Sequence, residues 1–263
     1  MRKTLAALDR ILRGDATDLS RVQAGSLELP LARLALLIAV LAAFYGVCMG
    51  TNALLRPDGP EWRQMIAAGA KVPALFLLTL FITFPSLYVF SALMGSRLTL
   101  PALTRLLVAA LCITIAVLAS LGPIEAFFAL STTSYDFMIL LNVAFCAVAG
   151  ILGVKFLLHT LHRLAVSLES VPSAEPMAMP APPPLPGAAP LPGPLDPLPV
   201  RPVDSSTRSI MRIWILVYAV VGAQMAWILR PFVGDPARPF EWFRERDSNF
   251  FEAVWRCLVN LLF

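Results

Sequence analysis

A chain of 263 residues with 58% hydrophobic and 14% charged side chains lies outside the range of water-soluble domains, which are roughly half apolar and about a quarter charged. Its mean hydropathy of +0.74 and several runs near the ~18 apolar residues needed to cross a bilayer exclude an ordinary globule. The net charge of +4 gives no basic face for nucleic acid, because the Lys and Arg residues gather beside the apolar runs. The predicted fold class is all-α: a polytopic transmembrane helical bundle of about five spans, with interfacial amphipathic helices at the N- and C-terminal ends.

Residues 1–30 form a cytoplasmic N-terminal segment in this reading. Within it Leu5, Leu8, Ile11 and Leu12 share one side of a helix, while Lys3, Arg10 and Arg13 take the other, a pattern that suits the headgroup region of an anionic leaflet. Asp9 and Arg10 interrupt any signal-peptide core, so the first span is expected to stay uncleaved.

Span one is expected over 31–54. Ala42, Gly46 and Gly50 recur every four residues, a row of small side chains along which helix backbones approach closely. A loop, NALLRPDGPEWRQMIAAGAK, follows, with Pro57, Gly59 and Pro60 as its turn. Span two is expected over 72–94 with a kink at Phe84-Pro85, where Thr79, Thr83 or Ser86 would satisfy the released backbone groups. Span three is expected over 100–121, closed by Gly122-Pro123. A short aromatic connection, IEAFFALSTTSY, leads to span four over 137–158, which holds Asn142, a small face of Ala149 and Gly153, and a terminal Lys155, His159 and His162.

The composition then changes. Residues 166–208 read as a proline-rich disordered cytoplasmic linker, since APPPLPGAAPLPGPLDPLPVRP admits neither helix nor strand. It is expected to tether span five; its PxxP spacing also fits a protein partner. Span five, over 209–232, carries IMRIWILVYAVVGAQMAWILRPF. The tail, 233–263, ends in a helix too short to cross a bilayer. There Phe251, Val254, Trp255, Leu258 and Leu262 form one stripe, Glu252 and Arg256 pair at i, i+4, and Asn249 caps the start. That stripe is expected to lie at the interface and to offer a second surface for a protein partner.

With the N-terminus in the cytoplasm, thirteen of the 21 Lys and Arg residues fall inside and eight outside. The bias favours N-in and C-out. The expected location is a bacterial inner membrane, with the lipid bilayer as the first partner.

The polar cluster singled out is Gln224, Trp227 and Arg230, which at three-residue spacing lean to one side of span five. One reading pairs Arg230 with Glu125 or Asp136 as a polar site in the outer half of the bundle. The other is a stop-transfer boundary, with Gln224 bonded to a neighbouring helix and Arg230 reaching the interface. No GxSxG, HExxH, Walker or GxGxxG pattern occurs, so no catalytic residue, cofactor or enzyme activity is expected. The i, i+3 pair His159 and His162 lacks a third ligand, and no metal is expected. The four cysteines have no metal or redox spacing and read as small hydrophobes. The function expected from these features is a scaffold, anchor or assembly partner, with a small-solute or proton-coupled transporter as the alternative.

The blocks GAQMAWILRPFVGDP, FEWFRERDSNFFEAVW and LTLFITFPSLYVFSALMG resemble those of a group of bacterial multi-span membrane proteins with a closing GxQxxWxLRPF block. The resemblance covers about half the chain and implies an order of spans, with no mechanism attached. A looser similarity, to Yip1-type five-span proteins, implies a cytoplasmic N-terminus.

Overall fold

In a computed structural model the described residues are 31–55, 61–93, 100–132, 134–169, 205–234, 239–245 and 248–262. The expected N-terminal amphipathic helix and most of the proline-rich linker lie outside them. Among the described residues there are six α-helices and no strands. They are α1 (Leu31–Gly50), α2 (Trp62–Leu93), α3 (Leu100–Ser131), α4 (Tyr135–Glu169), α5 (Ser205–Leu229) and α6 (Phe250–Leu262), with a 3-10 turn at Thr51–Leu55 after α1. Five of them, α1 to α5, contain segments long and apolar enough to cross a membrane. This is the architecture of a multi-pass membrane protein.

Helix α1 occupies the middle of the bundle, packed on α2 and α3; α4 lies against α3, and α5 against α2. Short α6 touches both α4 and α5. Close packing rests on the small residues. A Cβ added at Gly46 would come 2.4 Å from the Ala68 carbonyl oxygen, and one at Gly50 would come 2.6 Å from Met65 Cα. Gly46 and Gly50 of the expected row thus lie on the seam between α1 and α2, an intrachain contact, and Ala42 is buried in the core. Gly153 on α4 does the same against Thr114 of α3. With lipid as apolar as the side chains, such packing rather than hydrophobic exclusion holds transmembrane helices together. Phe81, Phe127 and Leu36, which are 78%, 64% and 65% exposed, face outward, where the bilayer would cover them.

Two boundaries differ from expectation. Helix α2 begins at Trp62, ten residues before the expected Val72, and runs through Pro73 and Pro85. Its first turns carry Gln64 and Lys71, which hydropathy alone assigns to a loop but which find partners inside the protein. Helix α3 does not stop at Gly122-Pro123; it continues to Ser131. Pro123 is exposed, so its ring points away from the bundle and the helix loses only the bond its missing N–H would make. The connection to α4 shrinks to residues 132–134, where Ser134 Oγ accepts from the Phe137 amide at 3.3 Å as a cap. At the linker, α4 continues to Glu169 and α5 begins at Ser205, each four residues inside the expected tether.

The hydroxyls around Pro85 do not bond the Phe81 carbonyl that this proline releases. Thr79 donates to Leu75, Thr83 to Thr79 and Ser86 to Thr83. The indole of Trp214 on α5 also donates to the Thr83 carbonyl, at 3.0 Å. Trp214 packs there with Leu87, Leu106, Leu107, Ala110 and Leu157, so α2, α3, α4 and α5 converge at this end. At the opposite end, from which the tail leaves, a cleft separates α4 from α5.

Candidate functional site

The polar groups of the bundle collect at the tail end, in three connected places. The first is a latch. Gln64 and Lys71 are seven residues apart and therefore share one face of α2. Both are buried, at 1% and 5% exposure. Gln64 Nε2 donates to the carbonyls of Pro231 at 3.2 Å and Phe232 at 2.9 Å. Lys71 Nζ donates to Pro231 O at 3.3 Å and to Trp242 O. Its ammonium also lies 5.0 Å from the ring centroid of Phe243 and 5.9 Å from that of Trp242, within the range of cation–π attraction. A buried cation and amide thereby hold the chain after α5, whose carbonyls no regular structure would otherwise satisfy.

The second is this cleft, of about 690 Å³, between the ends of α4 and α5. Met49 of α1, Ile139, Asn142 and Val143 of α4, and Ala226 and Trp227 of α5 line it, and the tail supplies a charged rim. Helix α6 closes one side. Asn249 Oδ1 accepts from the Glu252 amide at 2.9 Å as the expected cap, and Arg256 pairs with Glu252. Asn260 donates to Asp136 at 3.3 Å. Burial beside Asp136 pushes the Cys257 thiol up to about 12. The expected stripe divides: Val254 is half-buried, while Phe251, Trp255, Leu258 and Leu262 are exposed.

The third is the pocket of Glu125. This carboxyl is 0% exposed among α1, α3 and α4, with neither oxygen hydrogen-bonded. Tyr45 and Cys48 of α1 and Asn142 and Cys146 of α4 are its polar neighbours. Asn142 Nδ2 donates to Tyr45 OH at 2.9 Å. Nearby, Asn52 Nδ2 donates to the carbonyl of Ala129 at 3.1 Å, tying the turn after α1 to the last turns of α3.

The predicted polar cluster is therefore rearranged. Trp227 and Arg230 do sit together, with the guanidinium carbon 3.6 Å from the indole centroid. Trp227 donates to the carbonyl of Ser248 and Arg230 to that of Glu245, so both bind the tail. The expected pairing of Arg230 with Glu125 or Asp136 is not formed. Glu125 has no hydrogen-bond partner; Asp136 lines the same cleft as Arg230 but takes its bond from Asn260. Arg230 lies just beyond the last turn of α5 while Glu125 is sealed behind α1, and helix packing keeps them apart. Gln224 is half-buried and does not line the cleft; no hydrogen bond joins it to another helix among the described residues.

Sequence reasoning missed Gln64, Lys71, Tyr45 and Asn142 as site residues. The i, i+7 spacing of the first two was the available signal. Among the described residues no three His, Cys, Asp or Glu side chains converge as a metal set. Comparison with family models, curated proteins and solved structures finds no significant match to any of them.

Proposed function

We propose that this protein is a non-enzymatic scaffold or assembly partner of a bacterial inner membrane, with its N-terminus in the cytoplasm and its tail on the outer side. The closing block from Gly222 to Pro236 supports grouping it with the bacterial multi-span proteins that its sequence resembles. The Lys and Arg bias supports the orientation.

One observation carries the assembly role. Helix α6 docks on α4 by one face yet leaves Phe251, Trp255, Leu258 and Leu262 at 54%, 65%, 37% and 66% exposure. Large apolar side chains rimmed by the Glu252–Arg256 pair make a surface that a headgroup layer or a partner helix would cover. The test is purification in native lipid discs. A stoichiometric protein partner that is lost on Phe251→Ser with Trp255→Ser supports the reading, and a protein that is alone under all conditions opposes it.

The buried Glu125 favours a second reading, a proton-coupled carrier, because an ionisable residue inside a membrane bundle usually marks an ion or proton path. Purified protein in liposomes with an internal pH dye separates the two. The scaffold moves no protons or solute.

A further inference from the structure

We propose that Glu125 is a proton-binding carboxyl, set among α1, α3 and α4 and reached from the tail-end cleft by way of Asn142 and Tyr45. This goes beyond the assembly role and does not depend on it.

Three observations lead there. First, the carboxyl is fully buried and both its oxygens lack a hydrogen bond. A carboxylate kept for structure would be paired, because an isolated charge in an apolar interior is far costlier than an apolar side chain of the same size. Second, the groups facing it are Tyr45 and Cys48 from α1, and Asn142 and Cys146 from α4. None of them is cationic, and α3 itself adds no Lys or Arg beyond Arg105, five turns away. An alkali ion would need several more oxygen ligands, and two of these four neighbours are thiols. A proton needs only the carboxylate.

Third, the pocket has a polar route out. Asn142 lines the cleft and donates to the Tyr45 hydroxyl at 2.9 Å, which occupies the phenol oxygen as an acceptor and leaves its own hydrogen to donate. Tyr45 is 1% exposed and joins the cleft through its bond from Asn142. In the step inferred, a hydronium admitted from the cleft past Asn142 gives a proton to the Tyr45 oxygen. The phenol hydrogen passes to a Glu125 oxygen once the phenol turns toward it, the two being unbonded at rest. One O–H bond forms at the carboxylate, hydronium becomes water, and no electrons change hands. Asn142 acts as a positioning residue, holding the phenol in line.

The test uses the full-length protein in lipid nanodiscs and dicyclohexylcarbodiimide, an apolar reagent that adds to protonated carboxyls within membranes, with the adduct located by peptide mass spectrometry. The expected result is an adduct on Glu125 whose rate falls as pH rises, along a single-proton titration. Glu125→Gln loses the adduct, and Glu125→Asp keeps a pH-dependent one. An unlabelled Glu125, or labelling indifferent to pH, overturns the site. Protection by sodium chloride but not by choline chloride at constant pH overturns the proton in favour of an alkali ion.

Infrared spectroscopy after a pH jump tests the route in the same sample. Tyr45→Phe slows the appearance of the Glu125 carboxylic acid band by about tenfold or more, and Asn142→Leu slows it while the unfolding temperature stays within the range of Gly150→Ala. An unchanged rate in Tyr45→Phe overturns the route.

Discussion

Removing the two latch residues together costs more than the sum of removing each. Gln64 and Lys71 share one acceptor, the Pro231 carbonyl, at 3.2 Å and 3.3 Å. In Gln64→Leu that carbonyl keeps Lys71, and only Phe232 O loses its donor, for a net loss of about 1–2 kcal/mol. In Lys71→Met, Gln64 still holds Pro231 O. The charge-assisted bond to Trp242 O and the ring contacts are lost, at about 2–4 kcal/mol together. Release of a buried cation offsets part of this, leaving again about 1–2 kcal/mol. The double variant strips Pro231 O of both donors and adds about 1–3 kcal/mol for an unsatisfied buried carbonyl. The expected coupling is therefore about 1 kcal/mol or more, of the size found for residues in one network. At 1.4 kcal/mol per tenfold, each single variant opens the tail about five- to thirtyfold more often, and the double variant about a hundredfold or more. Hydrogen exchange in nanodiscs, followed in peptides covering 239–245, reads these openings directly. Strict additivity would refute the shared-carbonyl argument. So would faster exchange throughout α1 and α3, which would mean that the bundle rather than the latch had failed.

Gly46→Ala is expected to lower the unfolding temperature in detergent. Its new Cβ would fall 2.4 Å from Ala68 O, and forcing two backbones apart costs about 1–3 kcal/mol. Gly150→Ala, with nothing within 4 Å, leaves that temperature unchanged or slightly raised. Trp214→Phe removes the bond to Thr83 O and weakens the α2–α5 contact by about 1 kcal/mol, read as faster exchange in α5 with α1 unaffected. The Cys257 thiol, raised to about 12, is thiolate in only about one molecule in ten thousand at pH 8. Its alkylation should be about a thousandfold slower than that of an ordinary thiol and should accelerate in Asp136→Ala, which frees α6. Rapid labelling of the unaltered protein would contradict the docking of α6 on α4.

Five apolar runs were legible because each comes close to or passes the ~18-residue bilayer threshold with few charges inside it. The small-residue row of α1 was legible because a four-residue repeat has one geometric meaning on a helix. The start of α2 was not. Hydropathy places Arg63, Gln64 and Lys71 in water, whereas the fold gives Gln64 and Lys71 backbone carbonyls from a segment more than 150 residues later. Only the tail, once folded back, makes them partners. Gly122-Pro123 misled in the opposite sense: proline ends helices in water, yet on the outward side of a packed transmembrane helix it merely omits one bond. Glu125 was thereby assigned to a loop, where an acid is unremarkable, when it sits on a continuous helix in a sealed pocket. The stacking of Arg230 on Trp227 follows from their three-residue spacing, but the tail carbonyls that replaced the expected acids are loop contacts that no periodicity encodes.

The central claim is a five-span bundle whose two ends face opposite sides of the membrane, with the tail folded against the end proposed to lie outside. Reporter fusions placed after Phe263 and before Met1 test it most directly. The account predicts an active alkaline phosphatase and a dark green fluorescent protein at the C-terminal fusion, with the reverse at the N-terminal fusion. A fluorescent C-terminal fusion with a silent fluorescent protein at the N-terminus would reverse the proposed orientation. Fluorescent fusions at both ends would contradict the five crossings, because an odd number of crossings cannot return the tail to the side it started from.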